Sequence, residues 1–204
     1  MHVLCFVQAR GVSLGLLGKV VEAGRTAPAL RQWLAQVISV LIEGMSAMEP
    51  QTLQYMQFHT ARLRISEEEL ESMRIKMAQS SPLHDALESC LGALQQAVLH
   101  DATTSLVPEV VRSLCSQLQR GVGLPTRVAA AQALSQMVER YPAHLAPGSS
   151  GAQPTAQAFR AIIWTLSQAP TMAVSLKKAM TSAFGVLAKV KRFILLDSLL
   201  LCYG

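Results

Sequence analysis

The chain has 204 residues, 50% of them hydrophobic and only 5% aromatic, with a formal net charge of +5. That length suits one domain or a short repeat array, and so mild a basic excess is not by itself the footprint of a nucleic-acid binder. No apolar run reaches the ~20 residues that cross a bilayer, no Asn is present to carry a glycan, and the four cysteines, Cys5, Cys90, Cys115 and Cys202, are far apart without a C-x-x-C pair, which excludes a disulfide framework or zinc ribbon and suits a reducing, intracellular compartment.

Val3 to Val7 is apolar but short, and it lacks the basic flank of a signal peptide. Gly11 to Gly24 has helical spacing (Val12, Leu16, Val20), with internal glycines that lower helix propensity. Leu30, Trp33, Leu34, Val37, Ile38, Leu41, Ile42 and Met45 then form an amphipathic stripe that predicts a helix. Glu49-Pro50 restarts the chain as a second helix, with Leu53, Met56, Thr60 and Leu63 on its buried side. Ser66-Glu67-Glu68-Glu69 is a capping-box pattern, and its carboxylates complement the positive end of a helix. The helix that follows, to Ala78, is polar on most sides and is expected to project or to bridge.

Ser81-Pro82 opens the next helix, with Leu83, Leu87, Cys90, Leu91, Leu94 and Val98 facing inward. Leu106, Val110, Leu114 and Leu118 carry another stripe. Gly121 and Gly123 end it, with glycine supplying positive φ, and Pro125 starts its partner. Ala129, Ala130, Ala131 and Ala133 allow close helix approach. Tyr141 to Thr155 is rich in Pro, Gly and Ser and reads as a loop. Two further stripes follow: Phe159, Ile162, Ile163, Leu166; then Met172, Leu176, Ala179, Ala183, Leu187, Val190.

The last four helices contain an internal repeat. Leu118 pairs with Leu166, Leu124 with Met172, Val128 with Leu176, Ala131 with Ala179 and Val138 with Val186, at an offset of 48 residues. A helix pair repeating at ~40–47 residues is the signature of HEAT or armadillo arrays, and a loop insertion covers the difference. The predicted fold is therefore all-α, a HEAT/armadillo-like α-α superhelix of about eight helices. Its units fall at 27–63, 66–100, 104–145 and 154–192 within a solenoid over 1–192, followed by an apolar tail at 193–204.

Patterns that would signal chemistry do not assemble. Gly11-Val12-Ser13-Leu14-Gly15 matches the nucleophile elbow, which would make Ser13 a hydrolase nucleophile, but an elbow needs a parallel sheet beneath it. Arg120-Gly121-Val122-Gly123 lacks the strand, third glycine and Lys-Ser/Thr of a phosphate cradle. His2, His59, His84, His100 and His144 are dispersed without metal-ligand spacing. The methionines sit at core spacing. No catalytic residue, cofactor or metal is expected. Between Tyr141 and Leu196 there is no Asp or Glu, whereas Arg160, Lys177, Lys178, Lys189, Lys191 and Arg192 are present, and these six are the candidate partner-binding residues, as a docking face for an acidic surface.

Four segments carry a family likeness: Leu41-Ile-Glu-Gly-Met-Ser-Ala-Met-Glu-Pro-Gln51, Ser80-Ser81-Pro82 through Leu94, Leu106-Val-Pro-Glu-Val-Val-Arg-Ser-Leu-Cys115 and Arg120-Gly-Val-Gly-Leu-Pro-Thr-Arg127. Here the chain resembles the proteasome adaptor and scaffold proteins, very large HEAT-repeat solenoids, and the likeness fades near Val190. The resemblance implies a non-enzymatic tether that contacts proteasome regulatory and core particle subunits in the cytoplasm, and in the nucleus as well, without nucleic acid or membrane insertion. Other HEAT scaffolds or transport receptors share the stripes. The Ala146–Pro154 insertion, Gln168-Ala169-Pro170 in place of an Asp-bearing turn, and the tail depart from the family pattern. Both ends lack the polar faces that cap a solenoid, as a fragment of a longer array would. The chain alone is thus expected to be helical and to associate through its end faces; light scattering showing a monodisperse monomer contradicts this.

Overall fold

Helix is the only regular structure among the described residues, as the 3.6-residue stripes require. The computed structural model describes residues 33–100, 105–142, 144, 154–168 and 172–202 together with Ser13, Leu16, Lys19 and Val20; from 190 onward it describes the backbone alone. The helices are α1 (Leu34–Gly44), α2 (Gln51–Phe58), α3 (Thr60–Leu63), α4 (Glu67–Gln79), α5 (Pro82–His100), α6 (Leu106–Arg120), α7 (Leu124–Arg140), α8 (Pro154–Ser167) and α9 (Val174–Cys202), with a 3-10 turn at Ser46–Met48. They fall into two compact units, Met1–Leu106 and Val107–Gly204. The expected helix over Gly11 to Gly24 lies mostly outside the described residues.

In the first unit α1 lies against α5, and α4 touches both α2 and α5. Leu34, Ile38, Leu41, Ile42 and Met45 are buried against a core that includes Leu83, Leu87, Cys90, Leu91, Leu94 and Val98. Each large side chain fully buried contributes about 1.5–3 kcal/mol. Trp33, expected in the α1 stripe, sits at the N-cap and is 53% exposed.

The helix expected to run continuously to Leu63 is broken at His59 (φ −119°, ψ 20°), and α3 ends on Arg64 in the left-handed region. Only Leu53 of its predicted stripe is buried; Met56 and Thr60 are half-buried and Leu63 is exposed. One apolar anchor does not hold a helix straight through its last turns.

The capping box is present. Glu69 N–H donates to Ser66 Oγ at 3.2 Å, and Ser66 N–H donates to Glu69 Oε2 at 2.9 Å. Helix α4 buries only Leu70 and is held by polar contacts instead. Arg74 Nε meets Glu49 Oε1 at 2.6 Å, and Arg74 Nη2 donates to Gln57 Oε1 at 2.7 Å. The polar helix therefore bridges.

In the second unit Gly123 (φ 86°) is the N-cap of α7, with Pro125 in the first turn. Positive φ thus falls on Gly123. Gly121 is small for another reason: a Cβ there would strike the Gln117 carbonyl and lie 2.9 Å from Thr126 Cγ2. Arg127 Nε donates to the Leu118 carbonyl at 3.0 Å, closing the exposed end of α6. Helix α9 packs along α7 and against α8.

Two predicted stripes are rotated. On α8 the buried residues are Ala158, Ala161, Ile162 and Thr165, while Phe159 and Leu166 are half-buried and Ile163 is exposed. Thr165 is tolerated inside because its hydroxyl donates to the Ala161 carbonyl at 2.8 Å. On α9 the buried residues are Leu176, Met180, Ala183 and Leu187, with Met180 in place of Ala179. The starts of α6 and α8, Leu106 and Pro154, are 48 residues apart, but those of α7 and α9, Leu124 and Val174, are 50 apart. The turn before α9 is longer, so Leu176, Met180, Ala183 and Leu187 match Thr126, Ala130, Ala133 and Met137, all buried. The apolar tail is not separate: the helical backbone of α9 continues through it to Cys202.

Gly121→Ala is predicted to destabilise by about 1–3 kcal/mol through overpacking. Gly185→Ala, where a Cβ meets open space, is predicted to stabilise by about 0.5–1 kcal/mol; urea denaturation reads both. The Ser66 backbone N–H, and then its hydroxyl, hold the Glu69 carboxyl below the usual carboxylate range. A lowered folded pKa gives stability that is present above the unfolded pKa and lost as pH falls through the folded one. Ser66→Ala should therefore lower the thermal midpoint at neutral pH and lower it less in acid, followed by circular dichroism.

Candidate functional site

Of the six basic candidates, Arg160 stands exposed on α8, Lys178 and Lys189 are exposed on α9, and Lys177 is half-buried. Lys191 and Arg192 belong to the α9 backbone, but their side chains lie outside the described residues. Lys178 and Lys189 are separated by about three helical turns and so share the side of α9 away from Leu176, Met180, Ala183 and Leu187. The structure therefore makes two basic edges, one on each helix, in place of a single patch. With no Asp or Glu between Tyr141 and Leu196, no acidic side chain from α8 or from the described side chains of α9 balances them.

Between the two edges lie apolar residues that stripe reading had assigned to the core. Phe159 and Phe184 meet edge to face, with ring centroids 5.6 Å apart. Phe184 is 38% exposed and Ile163 55%. A signal for them existed. At the same places in the preceding helix pair stand Val111, Cys115 and Leu134, all buried.

The residue patterns that could signal chemistry sit elsewhere. Ser13 is helical and exposed, and the described residues contain no strand on which an elbow could rest. Gly121 to Gly123 forms the α6–α7 turn. His59 packs on Tyr55 with centroids 4.3 Å apart, and His144 stands edge-on to Tyr141 at 6.3 Å. Among the described residues no group of three His, Cys, Asp or Glu could hold a metal ion. Cys90 and Cys115 are buried free thiols, pushed up to about 11 and about 12 by desolvation. The thiolate is the reactive form, so both are inert at neutral pH. Among the described residues no helix is long and apolar enough to cross a membrane.

The family model of the HEAT-repeat domain of the proteasome adapter and scaffold protein ECM29 matches residues 30–199, past the point near Val190 where the sequence likeness thins. The human proteasome adapter and scaffold protein ECM29 is 30% identical over 145 residues, covering 70% of this chain and 7% of the human protein. The fission yeast (Schizosaccharomyces pombe) proteasome component ecm29 is 23% identical over 133 residues, 65% of this chain and 7% of its own. The Saccharomyces cerevisiae proteasome component ECM29 is 22% identical over 121 residues, 59% of this chain and 6% of its own. No solved structure matches the chain. A repeated helix pair, a strand-free fold among the described residues and a match running from α1 into the last turns of α9 place the chain in the HEAT-repeat domain family of the proteasome adapter and scaffold protein ECM29.

Proposed function

We propose that this chain is a segment of a non-enzymatic scaffold that binds the proteasome and helps tether or stabilise its assembly. The observation that carries the reading is the family match over residues 30–199 of a chain whose described part is built only of stacked helices. The relatives are named as proteasome adapter, scaffold or component. Stacked helix pairs present side chains along extended surfaces and enclose no pocket for chemistry, which supports binding over catalysis. Helix pairs at 27–63, 66–100, 104–145 and 154–192 serve as the repeat units. Arg160, Lys177, Lys178, Lys189, Lys191 and Arg192 are the contact candidates, reaching acidic surface on regulatory or core particle subunits in the cytoplasm and nucleus.

The test is a native-gel and pull-down assay of the tagged chain with purified proteasome. Co-migration with the regulatory or core particle is expected. Lys178→Glu with Lys189→Glu should weaken it about tenfold or more, the equivalent of about 1.4 kcal/mol. Failure of the intact chain to bind, in low and physiological salt alike, sinks the proposal.

A further inference from the structure

The two helix pairs of the second unit are copies of one design, so a position buried in one pair and bare in the other marks a missing neighbour. Helix α7 is buried along two arcs. The first, Thr126, Ala130, Ala133 and Met137, repeats on α9 as Leu176, Met180, Ala183 and Leu187, buried again. The second, Ala131, Leu134 and Val138, is buried on α7, where α9 packs. Its counterpart on α9 is Thr181, Phe184 and Ala188, all exposed. The first helices agree: Val111 and Cys115 are 0% and 2% exposed, whereas Phe159 is half-buried and Ile163 is 55% exposed. The outer side of α8–α9 thus keeps the apolar residues that, one repeat earlier, lie under cover.

What covers it is constrained by charge. Arg160 borders Ile163 on the α8 edge, and Lys178 and Lys189 border the strip on the α9 edge. A second copy docking through the same face would bring basic edge against basic edge, with no Asp or Glu between Tyr141 and Leu196 to separate them. Association through an end face, expected from the missing caps, is disfavoured at this end for that reason. A helix with an apolar stripe between rows of carboxylates meets both demands. It places apolar side chains over Phe159, Ile163 and Phe184 and acidic ones opposite the two edges.

We propose that the outer face of α8–α9 is a docking surface for an acid-edged amphipathic helix of another polypeptide. This rests on the scaffold reading and specifies the chemistry of one of its surfaces.

The test uses the full 204-residue chain and fluorescence anisotropy with two synthetic peptides, each about 20 residues long so that it can form a helix. One carries Leu at i, i+3, i+4 and i+7 spacing with Glu along both edges; the other has Lys in place of every Glu. The Glu-edged peptide should bind about tenfold tighter or more, and Ile163→Glu or Phe184→Glu should each weaken it by about tenfold or more. Both substituted residues are already solvent-exposed, and unchanged circular dichroism and thermal midpoint confirm folding. Ile163→Leu should retain binding. The proposal is overturned if the two peptides bind alike, if neither binds, or if Ile163→Glu leaves affinity unchanged. It is also overturned if light scattering shows the chain self-associating until Ile163→Glu is introduced, for the occupant is then a second copy. Peptide binding without proteasome binding sinks the scaffold reading alone; proteasome binding without peptide binding sinks this proposal alone.

Discussion

An amphipathic helix cannot shield its own apolar stripe, and that constraint organises everything observed. Summed helix propensity and caps contribute tenths of a kilocalorie to about 1 kcal/mol each, whereas burying one large aliphatic side chain contributes about 1.5–3 kcal/mol. Elements with a neighbour on the stripe side are therefore long and straight: α5 with α1, α7 with α9. Elements without one are short or broken, as α2 and α3 are around the single buried Leu53. Helix α4 shows the alternative solution, in which a local cap and the Arg74–Glu49–Gln57 contacts replace apolar cover.

What could be read from the sequence follows the same division. The capping box at Ser66 and Glu69 was legible because its determinants lie within four consecutive residues. The α5 stripe was legible because every one of its predicted inward positions is covered. Turn chemistry was half legible: glycine was expected at the α6–α7 corner, but positive φ falls on Gly123, and Gly121 is required by the nearby Gln117 carbonyl. Stripe direction on α8 was not legible. Hydrophobicity selects Phe159 and Ile163, while the buried arc is chosen by where α9 lies, and that arc contains Ala158, Ala161 and Thr165. A residue's burial depends on a neighbour that its own segment does not encode.

The candidate face shows that dependence most directly. Six basic residues were picked from a run without acidic ones, and the helices distribute them along edges, with an aromatic and aliphatic strip between. Charge counting found the edges; only comparison of successive repeats finds the strip. Leu134 and Phe184 occupy equivalent stations, and the structure differs at them because one has a following helix and the other does not.

The alanines of α7 carry a last consequence. Ala130 and Ala133 stand where α9 carries Met180 and Leu187's bulkier neighbours, and Ala131 lies on the arc beside them. Small side chains let α9 come close on that flank, whereas the α6 flank is built of Val107, Val110, Val111 and Leu114. Layers thin on one flank and thick on the other are wedges. Stacked wedges bend, so the concavity of this unit is written in methyl groups and not in its loops.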